Sequence, residues 1–459
     1  MRTRIVAAAC VLALLASGCG SRLEQDDLAQ GDGLGDAGTT VAPGGGDPGS
    51  GVPMFGTMEA PCGPAPDGFA PTASDEGVTA DKIRIGVVSD RAGQVKVPTA
   101  SIEESMKAFV NYCNDLGGIN GRQLELETFD SALFATREAV VEACNAGLFA
   151  LVGTGSVFDS DGAEASVDCG LPDIAGYTAT ARKTLAPNVI TPVPNPPENN
   201  AVGPARYIAE QYPDAVEHAA VVSSSQVEAA WNQAMRIRES WTTVGFDFQL
   251  VADTQLFQET YSAEAQRMKA AGIRFVTMVS ETSETAKLLR DMRAQSFQPD
   301  VVSLGAQYYD PALLTEPASE GVYIELNTVP FEEADLVPAM RQFLDAYDTV
   351  GSSIKPTALG VQSFSAGLLF AEAAKNAGAD LTRESLVAEM RKINSWDGGG
   401  LHFETNPGDE VRSACMLLMQ IRDGAFTRVH PAEPGTFACE DNYIAPISDP
   451  EYNGDNDQW

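Results

Sequence analysis

Histidine is almost missing from this sequence, three in 459 residues, and no two cysteines stand in a C-x-x-C pair. Structural zinc sites draw on these two residue types at close spacing, so a zinc-built module is excluded as the organising feature. His218, His402 and His430 fall at a strand edge, a turn and a tail, with no partner in sight, and no G-x-S-x-G elbow occurs. Nothing here supports a hydrolase, and the chain reads as a non-enzyme. Basic residues are also scarce, 30 Lys+Arg against 64 Asp+Glu, for a formal net charge of −34. Such a surface repels nucleic acid and anionic lipid and favours solubility. Past the first twenty or so positions, no apolar run reaches the length of about 20 residues that a spanning helix needs. GTGSVF comes near a dinucleotide fingerprint, but Phe158 stands where its last glycine belongs, so no cofactor or metal is expected.

What is present begins at the N-terminus. Arg2 and Arg4 precede an apolar run from Ile5 to Ala16, the charge and length pattern of a signal peptide. Leu15-Ala16-Ser17-Gly18-Cys19 resembles a bacterial lipobox, with Ala16 in the place usually held by leucine. The pattern predicts a lipoprotein signal peptide over 1–18 and a lipid on Cys19. The protein would then be exported and anchored to the outer face of the cell membrane. Residues 19–75 are rich in glycine and proline and poor in large apolar side chains, which predicts a flexible tether whose far end Cys62 pins to the body. With Cys10 and Cys19 set aside, six cysteines remain, an even number suited to disulfides in an exported chain.

From Lys82 the pattern changes to strands alternating with helices. KIRIGVVS, QLELETFD, FALVGTG and LPDIAG read as strands, with helical spacing between them. Ser101 and Glu104 suggest a capping box at the first helix. After the proline-rich break TPVPNPPENN a second cycle of the same kind begins. Further helices follow from about Val337, and CMLLMQIRDGAFTRV reads as a hairpin turning at Asp423-Gly424. The expected fold class is α/β, two Rossmann-like units with parallel sheets. Ligand contacts in such units gather at the carboxyl ends of the strands, so two facing units predict a cleft.

The blocks IRIGVVS, FVNYCNDLGGINGRQLELETFD, FALVGTGS, AKLLRDMRAQSFQPD, GLHFETNPGDE and LMQIRDGAFTRV resemble, in order and spacing, type I periplasmic binding proteins of the leucine/isoleucine/valine-binding group. The likeness runs from about Lys82 to His430. It implies two lobes joined by three crossovers that close like a flytrap, lobe 1 being 82–196 plus 328–408 and lobe 2 being 197–327 plus 409–430, with a tail over 431–459. It also implies the pairings Cys144–Cys169, Cys415–Cys439 and Cys62–Cys113. The function implied is that of a substrate-binding protein of an ABC importer, binding a small amino acid or a related carboxylate or amide. Permease subunits would be its partners, nucleic acid would not, and the chain would be a monomer. The alternative is a binding protein that presents its solute to a membrane receptor.

The same resemblance points to site residues. Gly155, Ser156 and Val157 would offer backbone and hydroxyl donors to a ligand carboxylate, joined by Tyr177, Thr178 and Thr180 from the next loop. Glu284 would hold the ligand ammonium, with Glu281 as its rival. Trp231 and Tyr308 would wall the cleft, and Arg91 would favour a carboxylate-bearing ligand.

Overall fold

The computed structural model describes residues 52–92 and 99–459. The expected signal peptide over 1–18 and the expected lipid site at Cys19 lie outside them. A small hairpin, β1 (Met54–Phe55) and β2 (Met58–Glu59), comes first. It is followed by β3 (Lys82–Ser89), α1 (Ala100–Asp115), β4 (Gln123–Asp130), α2 (Thr136–Asn145) and β5 (Ala150–Val152). Next come α3 (Ser160–Asp168), β6 (Asp173–Ile174), α4 (Ala181–Thr184) and β7 (Val189–Ile190). The strands β3 to β7 make one five-stranded sheet in the order β4-β3-β5-β6-β7, with every pair parallel. Ile83, Ile85 and Val87 of β3 are fully buried and Val88 is nearly so, which is why KIRIGVVS reads as a continuous apolar run covered on both faces.

The second unit opens with β8 (Asn199–Ala201), α5 (Gly203–Gln211), α6 (Pro213–Val216), β9 (Ala219–Ser223) and α7 (Glu228–Thr242). It continues through β10 (Phe248–Asp253), α8 (Ser262–Ala271), β11 (Phe275–Met278), α9 (Thr282–Ala294), β12 (Val301–Leu304), α10 (Pro311–Leu314) and β13 (Tyr323–Leu326). The chain then returns to the first unit as α11 (Pro338–Asp348), α12 (Ala358–Ala377) and α13 (Arg383–Met390). It crosses once more to give β14 (Cys415–Arg422), β15 (Ala425–His430), β16 (Ala438–Cys439) and β17 (Ile444–Pro446). The second sheet runs β10-β9-β11-β12-β13-β14-β15, with β16 also on β14. Its first five strands are parallel and the rest antiparallel. Asp423 and Gly424 both take positive φ, 53° and 72°, the geometry a two-residue hairpin loop requires.

Helix α12 is apolar around most of its circumference because it is core on most sides. Phe364 and Phe370 share one cluster with Ile83, Phe109 and Phe343, so α11–α13 belong with the first sheet. Gly367 lets α1 approach: a Cβ there would stand 2.6 Å from the Phe109 ring. The capping box is absent. Helix α1 starts at Ala100, and the Ser101 hydroxyl instead meets Thr357 Oγ1 at 2.6 Å, joining α1 to the start of α12.

Residues 52–75, expected as the end of a tether, are packed on the body. Phe55 is fully buried, its ring 5.5 Å from Tyr112 and 5.6 Å from Phe364. Arg122, from the GGINGR turn, is likewise buried and donates to the carbonyls of Thr79, Gly378, Thr72 and Ala379, locking this segment to the end of α12. The last residues do not hang free either. Strand β17 pairs with β8, Glu239 accepts from the amides of Ser448 and Asp449, and the Trp459 ring lies 3.6 Å from the Arg182 guanidinium.

Disulfides join Cys62 to Cys113, Cys144 to Cys169, and Cys415 to Cys439. The first spans 51 residues of sequence and ties the 52–75 segment to α1. Closing a loop of that length restricts the unfolded chain, so replacing Cys62 and Cys113 together by serine should cost about 2–4 kcal/mol. Urea denaturation of the double variant checks this, and an unchanged midpoint refutes it.

Candidate functional site

A cavity of about 380 Å³ opens between the two units. It is lined from the carboxyl ends of strands on both sides: residues after β5 and β6 in the first unit, and after β9, β10, β11 and β12 in the second. This is where parallel α/β sheets present their loops. The units also touch directly, the Ser160 hydroxyl donating to Glu228 Oε2 at 3.0 Å. Three crossovers form its back, near 191–198, 327–330 and 402–414. Two buried or half-buried arginines brace the first of these. Arg236 Nη2 donates to the carbonyls of Pro196 (2.9 Å) and Asn199 (2.7 Å). Arg412 donates through Nε to Asn199 Oδ1 (2.6 Å), and through Nη2 to Asn195 and to the carbonyls of Pro196 and Asn199.

Of the expected residues, Val157, Tyr177, Thr178, Glu281 and Glu284 line the cavity. The loop after β5 does not offer the donors expected of it. The Val157 amide is taken by Asp90 Oδ2 at 2.8 Å, and the same carboxylate accepts from Ser131 Oγ and the Leu133 amide. Burial pushes the Asp90 carboxyl above its ordinary range, and these three donors pull it back. Gly155 is covered rather than exposed: a Cβ on it would stand 2.3 Å from the Tyr177 ring. Ser156 is buried behind the cavity against Thr136.

The next loop is held from below. Asp159 accepts from the Ala179 amide (2.6 Å), the Thr180 amide (3.1 Å) and Thr180 Oγ1 (2.7 Å). Thr180 is therefore a strut that also caps α4, outside the cavity, while Thr178 faces it with its hydroxyl on Thr184 at 2.7 Å. Asp159 is almost wholly buried, and that burial raises its carboxyl to about 7 despite the donors and Lys183.

Three further expected residues lie outside the cavity lining. Trp231 lies one step along α7 from Ala230, which does line the cavity; the step of about 100° turns the indole toward Tyr452 instead. Tyr308 is fully buried beneath the strand ends, accepting from the Ser280 amide (2.8 Å) and donating to the Met278 carbonyl (3.1 Å). Arg91 closes on α1, its guanidinium on Glu103 and Glu104, away from the cavity.

The two expected carboxylates differ in state. Glu281 caps α9, accepting from the amides of Ser283 (2.7 Å) and Glu284 (2.9 Å), and burial raises its carboxyl. Glu284 is nearly buried and already satisfied, paired with Lys287 at 2.5 Å and accepting from the Tyr261 hydroxyl at 2.8 Å. Sequence reasoning missed Asn195, Asn200, Gln233, Glu325, Asn327 and Arg412, all on the cavity wall. Glu325 carried a usable signal, since strand alternation puts it on one face with Tyr323 in a run that is otherwise apolar, where a lone acid is uncommon.

A family model described as periplasmic binding protein matches residues 82–425. No curated protein matches the sequence. Among solved structures, a leucine-binding protein from Thermotoga maritima is similar at TM-score 0.64 and 16% identity, over 78% of this chain and 99% of that one. A fatty acid ABC transporter substrate-binding protein from Thermomonospora curvata gives TM-score 0.65 and 17% identity, over 82% of this chain and all of the other. A solute-binding protein from R. palustris, in complex with 4-hydroxybenzoate, gives 0.63 and 14%, over 76% and 96%.

Proposed function

The chain belongs to the periplasmic binding protein family and has its type I fold, and from that premise we propose that it is the solute-binding component of an ABC importer. In this reading it is exported, anchored through a lipid on Cys19, and hands a captured solute to permease subunits while remaining a monomer. The lobes are 82–196 plus 328–408 and 197–327 plus 409–430, closing on the solute about the three crossovers.

One observation carries the proposal: the cavity of about 380 Å³ between two α/β units, walled by strand-end loops from both. Its size lies at the lower end of the range for small-molecule sites, about 300–1,000 Å³. Its wall is more apolar than polar by area, with side chains such as Gln233, Asn327 and Arg412 set among the apolar ones, a composition suited to a compact organic solute. The family is one of solute-binding proteins rather than enzymes. Proteins of similar fold include a leucine-binding protein, a fatty acid transporter substrate-binding protein and a solute-binding protein in complex with 4-hydroxybenzoate. An amino acid or a related carboxylate or amide is the solute class we assign.

Thermal denaturation of the exported chain against amino acids, amides and small carboxylates tests this. A ligand at about 100 times its dissociation constant stabilises by roughly 2.7 kcal/mol, a clear rise in midpoint. A rise with any of these classes supports the reading, and none with all three refutes it.

A further inference from the structure

The cavity has an inner end that the family likeness did not anticipate. Glu325, on β13, and Arg412, in the crossover that leads into β14, both line it beside the segments that cross between units. Among the described residues, the Glu325 side chain makes no hydrogen bond and no ion pair, while its backbone lies in the ladder opposite Leu418 of β14. Glu325 is half-buried on the cavity wall. Arg412 has Nε and Nη2 committed to Asn195, Pro196 and Asn199, which holds the guanidinium in place and leaves Nη1 as its uncommitted nitrogen. Opposite charges thus share one cavity without closing on each other.

We propose that Glu325 and Arg412 form the inner anchor of the cleft, taking respectively the ammonium and the carboxylate of a zwitterionic ligand. This rests on the solute-binding reading above and names the ligand class and the acceptor. The apolar part of the ligand lies along Val227, Ala230, Ile237, Val279, Leu359 and Phe403.

Two arguments select this arrangement. The first is the state of the carboxylates. Glu284 already holds Lys287 and the Tyr261 hydroxyl, and Glu281 caps a helix, so Glu325 is the acid with unused acceptors. A half-buried carboxylate without a bonded partner is costly, and burial raises Glu325 to about 7, with Arg412 offsetting only part of this. An arriving ammonium relieves that cost. The second is the balance of charge. A carboxylate without an amine would face Glu281 and Glu325 against the guanidinium of Arg412, Glu284 being already paired with Lys287, whereas a zwitterion brings its own counter-charge.

The test uses matched skeletons: leucine, 3-methylbutylamine and 4-methylpentanoate, and phenylalanine, 2-phenylethylamine and 3-phenylpropanoate. Calorimetry at pH 7.5 measures each against the exported chain, Glu325→Gln and Glu284→Gln, with melting curves confirming that both variants fold. At least one zwitterion is expected to bind more tightly than its amine or acid counterpart. Glu325→Gln should then weaken it by roughly thirtyfold, as for a lost hydrogen bond to charge, and Glu284→Gln by less. A larger loss in Glu284→Gln, or none in Glu325→Gln, overturns the assignment. Acids that bind as well as the zwitterions also overturn it while leaving the solute-binding reading intact. No binding by any of the six overturns both the assignment and the amino-acid reading.

Discussion

Asp159→Ala is expected to lower stability by roughly 3 kcal/mol and to weaken ligand binding in the same variant. The buried carboxylate holds two backbone amides and one hydroxyl, those of Ala179 and Thr180. Alanine leaves all three donors enclosed without acceptors, at about 1–3 kcal/mol each, and removing a costly buried acid returns part of that. The loop concerned carries Tyr177, Thr178 and Ala179 into the cavity, and a second pair, Lys183 on Asp173 at 2.6 Å, supports its far side. Asp159→Asn keeps one acceptor oxygen but points an NH₂ at a donor, so it should fall between wild type and alanine. Denaturant melts and ligand titrations on the three proteins decide the matter. A purely local role for Asp159 would lower stability and leave affinity unchanged.

That contact also marks the limit of what the sequence let a reader see. Periodicity placed helices such as α1 because burial on one face imposes a period of 3.6, whereas KIRIGVVS and the α12 segment are apolar almost throughout, being covered on most sides, and were placed by length and composition. The position of the cleft followed from parallel strands ending in loops. Which loop atoms remain free for a ligand did not follow. The Val157 amide was a sound donor until Asp90, 67 positions earlier, was found to hold it. Such long-range claims on a backbone group leave no trace in local pattern. Trp231 failed for a different reason: on a helix, a shift of one position turns a side chain by about 100°, and register was known no better than that. Tyr308 was a strand-end aromatic like many cleft walls, and only its hydroxyl bonds show it facing inward. Glu325 was legible in principle, an acid amid apolar strand residues, but its role depends on Arg412, 87 positions later in sequence and adjacent only through the crossover.

Stability should rise as pH falls from 7.5 to about 5. Asp159 and Glu325 are both raised by burial to about 7 from ordinary values of 3.8 and 4.5. Between those limits the folded chain holds two protons that the unfolded chain has released. Their contribution is therefore full at low pH and lost as pH climbs through 7. Asp90 and Glu281 are raised as well and act in the same sense. His402 opposes them. It is buried against Ser365, whose hydroxyl lies 2.8 Å from Nε2, and burial lowers it to about 4 from 6.5, so its contribution is lost as pH falls through that window. Each group contributes about 1.4 kcal/mol per pH unit within its window. Two acids over about two units outweigh one histidine over about one and a half, for a net gain of roughly 3 kcal/mol at pH 5. Calorimetric melts across pH 5–8 should show the midpoint highest at the acid end and several degrees lower at 7.5. In Asp159→Asn the slope between pH 5 and 7 should shrink, since one of the two titrating protons is gone. A midpoint that is level or climbs from pH 5 to 7.5 in the wild type would mean that these carboxylates are hydrated and ionised in the folded chain.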